Sequence, residues 1–153
     1  IMPPLAITAT QTGIVKRWDL QSNRMTAQAQ LTALPAVGQI NAGGDQFAWM
    51  DASYQTLNLL DFHTGRSRSM IALNGKLIPF LLLTARADVI IGVTVGDDAR
   101  IWAWAAASGQ VFDLGVYRPC GRPADLARLS ADDSTLVIGC DQGLQAWRIT
   151  AES

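Results

Sequence analysis

The chain has 153 residues, 49% of them hydrophobic and only 16% charged, with a formal net charge of −1. Such a composition argues for a folded chain and against disorder, and the length suffices to bury roughly two-thirds or more of the unfolded surface in one domain. It gives no electrostatic reason to expect nucleic acid or an anionic membrane as partner.

Taken in chain order, the sequence reads as short strands separated by polar turns. LAITATQTGIVKRWDL, beginning at Leu5, predicts two strands around a Thr-Gln-Thr-Gly turn, and RMTAQAQL from Arg24 predicts a more polar outer strand. INAGGDQFAWMDASYQTLNLLD from Ile40 predicts strand, Asp-containing turn, strand, turn, strand, and RSRSMIAL from Arg66 again predicts a polar outer strand. Arg66 and Arg68 are expected on its solvated face.

The longest apolar stretch, Leu77 to Val95, carries Arg86 and Asp88 near its middle, where a bilayer would penalise them. Two buried strands, LIPFLLL and VIIGVTV, joined by a polar turn, are expected there, and no membrane insertion. DARIWAWAAASGQ from Asp98 predicts a strand with Trp102 and Trp104 on one side. LARLSADDSTLVIGCDQGLQAW from Leu126 repeats the strand–turn–strand–turn–strand layout and ends at Trp147.

Four segments align in phase: TGIVKRWDLQSNR, YQTLNLLDFHTGR, DARIWAWAAASGQ and DQGLQAWRITAES. Their apolar anchors, Trp18, Leu60, Trp104 and Trp147, are 42, 44 and 43 residues apart. A period near 43 residues with several short strands per unit matches four-stranded propeller blades, roughly 40–45 residues each. Asp98 and Asp141 each stand six residues before an anchor, in a tight turn.

On these residues the chain resembles the WD40-repeat family, whose repeats end a strand in Trp-Asp. The fold the resemblance implies is all-β: a β-propeller of four-stranded antiparallel blades, here the C-terminal part of a larger or chain-completed ring. The repeats would run approximately 1–30 (partial), 31–74, 75–117 and 118–153. Anchors would be buried between blades, with Gly92, Ala103 and Gly139 leaving room for close approach. Trp102 aligns with the polar Lys16, Asn58 and Gln145, and burial at a blade interface is expected for it too.

Departures are visible. Only Trp18–Asp19 is a true Trp-Asp pair, the family's Gly-His dipeptide is absent, and the single histidine, His63, follows an anchor. The buried Asp–His–Ser–Trp network of that family is therefore not expected, and Asp98 and Asp141 are expected to cap their own turns.

Function follows from the same reading. H-x-x-x-H, C-x-x-C and G-x-S-x-G are all absent, the pairs Asp97–Asp98 and Asp132–Asp133 read as turn formers, and no catalytic residue, metal or cofactor is expected. The two cysteines, Cys120 and Cys140, form neither a disulfide framework nor a metal-ligand spacing.

The resemblance implies a non-catalytic interaction scaffold or docking module for a protein or peptide partner. Its binding face would include Gln11, Ser53, Asp97, Cys140 and the loop YRPCGRPAD, with Arg118 and Arg122 offering bidentate contacts to carboxylates. The alternative is a structural subunit embedded in an assembly; a third reading, an enzymatic or quinoprotein-like propeller, rests on Asp61–Gly65 alone. Further blades from the same or another chain are expected, upstream sequence is expected before Ile1, and a cytoplasmic location is expected.

Overall fold

The computed structural model describes residues 4–71, 76–95, 99–117, 126–140 and 143–149. Within these residues the regular structure is entirely β, in four antiparallel sheets, each built from strands consecutive in sequence. The first holds β1 (Leu5–Ala9), β2 (Ile14–Asp19) and β3 (Arg24–Gln30). The second holds β4 (Pro35–Ile40), β5 (Gln46–Asp51), β6 (Thr56–Asp61) and β7 (Ser67–Ile71). The third holds β8 (Phe80–Leu83), β9 (Val89–Val93), β10 (Arg100–Ala105) and β11 (Val111–Val116). The fourth holds β12 (Leu126–Leu129), β13 (Thr135–Cys140) and β14 (Gly143–Arg148). The stretch from Leu77 to Val95 does become two strands, β8 and β9, around a polar turn.

The anchors occupy one register position in all four sheets. Trp18 pairs with Ala6, Leu60 with Phe47, Trp104 with Ile90 and Trp147 with Leu136, one step from the end of each ladder. Immediately beyond each anchor strand the same backbone bond recurs. Leu20 N–H donates to Pro4 C=O (2.9 Å), and Phe62 to Asp45, Ala106 to Asp88 and Ile149 to Ser134 (each 2.8 Å).

The chain divides into two compact units, residues 1–75 and 76–153, each with two sheets. In the first unit Phe47, Trp49, Leu60 and Phe62 of the second sheet pack on Val15, Leu31 and Ile7 of the first. The Arg17 guanidinium seals this junction: Nη1 donates to Gly44 C=O at 2.8 Å and the group lies 5.7 Å from the Phe62 ring centroid. In the second unit Leu136, Ile138, Trp147 and Ile149 pack on Ile91, Ile101 and Tyr117. The two cores correspond residue by residue, two repeats apart: Val15 with Ile101, Leu31 with Tyr117, Leu60 with Trp147.

Burial of the anchors is uneven, which corrects the expectation that all are interior. Trp104 and Leu60 are fully buried. Trp18 is half-buried because it lies on the face of the first sheet opposite Val15, away from the core cluster, and its indole N–H donates to Thr8 Oγ1 at 2.9 Å. Trp147 is half-buried because β14 is an edge strand, with no described strand on its outer side. Gly92 and Gly139 also differ from expectation, since each leaves room for its own sheet. A Cβ at Gly92 would lie 2.8 Å from Trp104 Cζ3, and one at Gly139 3.1 Å from Leu144 Cδ2.

The outer strands β3 and β7 are polar as expected, whereas β11 is not: Phe112, Leu114 and Val116 are exposed.

Candidate interaction face

The turns between β1 and β2, β5 and β6, and β13 and β14 are topologically equivalent, and the expected binding residues fall on them. Gln11 is exposed at the tip of the first, where Gly13, at φ +79°, closes the turn by donating its N–H to Thr10 C=O. Thr10 Oγ1 also accepts from Ile14 N at 3.1 Å, fixing the start of β2. Ser53 is exposed too, but its hydroxyl donates to Asp51 Oδ1 (2.7 Å) and accepts from Gln55 N (3.3 Å). Cys140 ends β13 with its Cα opposite Gly143, and its side chain lies outside the described residues. Asp97, Arg118 and Arg122, and the turn residues Asp98 and Asp141, lie outside them as well.

At the opposite end of the sheets sits a second set of turns whose polar residues the sequence reading passed over. Asn41, Thr84 and Ser130 each open a turn and accept a backbone N–H from the first residue of the next strand. Asn41 Oδ1 takes Gln46 N (3.0 Å), Thr84 Oγ1 takes Val89 N (3.1 Å) and Ser130 Oγ takes Thr135 N (2.9 Å). The signal was present as a polar residue five positions before the start of each strand, but only its recurrence in register gives it meaning.

Three carboxylates at this end, Asp19, Asp88 and Asp132, accept hydrogen bonds from their own turns. Asp19 accepts from the Ser22 hydroxyl (2.8 Å) and from the amides of Ser22 and Gln21, which hold its pKa below the ordinary value. The Thr84 hydroxyl lowers that of Asp88 against partial burial, with a smaller contribution from Arg86. The Ser130 and Ser134 hydroxyls bring Asp132 to about 2. Each of these shifts is accounted for chiefly by local hydrogen bonds within the turn. His63 is exposed, its Nε2 3.9 Å from Asp45 Oδ2. Among the described residues no three His, Cys, Asp or Glu side chains gather closely enough to hold a metal ion. No described helix is long and apolar enough to cross a membrane.

Trp102 is half-buried. Its indole N–H is buried with no hydrogen-bond partner, and the Lys76 ammonium lies 5.4 Å from its ring centroid.

No protein-family model matches the chain, and no curated protein matches it closely enough to count as a relative.

Proposed function

We propose that this chain is a WD40-like β-propeller segment acting as a non-catalytic interaction scaffold for a protein or peptide partner. The observation that carries the reading is the common register of Trp18, Leu60, Trp104 and Trp147 in four consecutive antiparallel sheets. Sheets repeated in this way hold short turns rigidly at their ends, and turns on rigid scaffolds are where recognition residues concentrate. On this reading each sheet is a blade, and the Gln11 and Ser53 turns share the binding face with Asp97, Cys140, Arg118 and Arg122.

Replacing Arg118 and Arg122 together by alanine tests it. Capture of the physiological partner should fall while the far-ultraviolet spectrum stays unchanged; undiminished capture removes these arginines from the face.

The alternative role, a subunit built permanently into an assembly, is favoured by one observation: the exposed Phe112, Leu114 and Leu144 of the second unit. Purification of the native protein separates the two. A free scaffold exchanges partners, whereas an embedded subunit does not survive extraction alone.

A further inference from the structure

Turns of equivalent position close the last strand pair of the first three sheets: residues 19–24, 61–66 and 105–110. The second and third share one backbone. Asp61 N–H donates to Arg66 C=O and Ala105 N–H to Gln110 C=O, each at 2.9 Å, with Gly65 and Gly109 at positive φ. Alanine and glutamine suffice for this turn in the third sheet, so the fold does not require the charges of Asp61 and Arg66.

Those charges line a pocket of about 340 Å³ together with Gln46, Leu59, Thr64 and Arg68. Asp61 stands opposite Gln46 and Leu59 opposite Arg68, and residues two apart along a strand share a face. Leu60, between Leu59 and Asp61, is turned the other way into the core of the unit. Leu59 gives the pocket a buried apolar wall, while β6 supplies its negative side and β7 its positive side.

The polar groups here are not spent on the fold. Asp61 Oδ1 accepts from the amides of His63 (2.7 Å) and Thr64 (3.1 Å), and Oδ2 has no donor among the described residues. The equivalent Asp19 has both oxygens engaged, because the Ser22 hydroxyl donates to Oδ2 at 2.8 Å. Thr64, in the place of Ser22, uses its hydroxyl to accept from Arg66 N at 3.3 Å. The Arg66 guanidinium and the Gln46 side-chain amide have no partner among the described residues. Arg66 and Asp61 thus line one pocket without pairing with each other.

A carboxylate and a guanidinium held apart across a small pocket suit a ligand that carries both charges. A simple anion would meet Asp61, and a simple cation would meet Arg66 and Arg68. We propose that this pocket binds a free α-amino acid, its carboxylate on Arg66, its ammonium on Asp61 Oδ2 and its side chain against Leu59. The volume lies at the small end of the range for ligand pockets, which fits a ligand of that size. The site is at the end of the sheet away from the Gln11 and Ser53 turns, so it stands independently of the scaffold reading.

Isothermal titration of the full chain with a panel of free L-amino acids tests this. At least one should bind saturably, and its N-acetyl and carboxamide derivatives should each bind about tenfold more weakly or worse. Arg66→Gln should erase the preference over the carboxamide, and Asp61→Asn the preference over the N-acetyl form. Asn keeps the Oδ1 acceptor of the turn and Arg66 is exposed, so both variants should retain the native far-ultraviolet spectrum. Absence of saturable binding across the panel overturns the inference. So does equal binding of acetate or inorganic phosphate, which would make the pocket a plain anion site, or an affinity that Arg66→Gln leaves unchanged.

Discussion

The backbone N–H of Ala85 donates to the Asp133 carboxylate at 2.7 Å, joining a turn of the third sheet to a turn of the fourth. Asp133 itself sits at φ +57°, a region that Asp and Asn tolerate better than most residues. Asp133→Ala removes the acceptor and strains the turn together, and should cost about 1–3 kcal/mol in urea unfolding. Asp133→Asn keeps an oxygen acceptor and the tolerated backbone, so its loss should be clearly smaller. Equal losses would show that charge, not the hydrogen bond, carries the link.

The uneven burial of the anchors sets an order of stabilities. Trp104→Ala opens a large cavity at a fully buried site and should cost about 3–5 kcal/mol. Trp18→Ala removes a half-buried ring and one hydrogen bond, and should cost no more than about half as much. Chemical denaturation of the two variants side by side checks the order.

Gly92 is the complement of Trp104. Gly92→Val would drive a Cβ into the indole, which has little freedom to move, and should destabilise by about 1–3 kcal/mol or more. Combining it with Trp104→Leu should recover part of that loss, a coupling that a double-mutant cycle measures.

Acid should weaken the fold through Asp132. Its pKa stands at about 2 against an ordinary 3.8, held down first by the Ser130 hydroxyl and then by Ser134. A depressed carboxyl favours the folded state when ionised, so its contribution is complete above pH 3.8 and is lost as pH falls through about 2. Carbon-detected titration should find the low midpoint, and Ser130→Ala should raise it. A midpoint unmoved by that substitution would exclude the hydroxyl as its cause.

Much of the strand order was legible because the inner strands are short and apolar, the outer strands β3 and β7 are polar, and many of the turns between them carry Gly, Asp or Asn. The period was legible because Trp18, Trp104 and Trp147 are conspicuous residues. What the sequence hid was the environment of those residues. Burial of a tryptophan depends on which face it takes and on what lies beyond the sheet, so Trp18 and Trp104 look alike in sequence yet differ in exposure. The role of Gly92 was misjudged for a related reason: its register partner is Trp102, yet its clearance is used by the ring of Trp104 reaching across diagonally, a contact that only the coordinates show. The polar caps Asn41, Thr84 and Ser130 escaped notice because they share a geometry and not a residue type. Gln11 lies in the exposed turn that the Thr-Gln-Thr-Gly stretch signals, whereas the use of the Ser53 hydroxyl by its own turn could not be seen without coordinates.

Every sheet is a meander of strands adjacent in sequence, and none borrows a strand from elsewhere in the described chain. Pairing partners are therefore close along the chain, so each ladder closes with a modest loop entropy and low contact order. During synthesis a sheet can form as soon as its last strand has emerged, and each completed sheet offers an apolar face on which the next in its unit can condense. The same locality means that a lesion such as Gly92→Val should first be felt in the protection of β8–β11 amides, leaving β1–β3 to exchange as before.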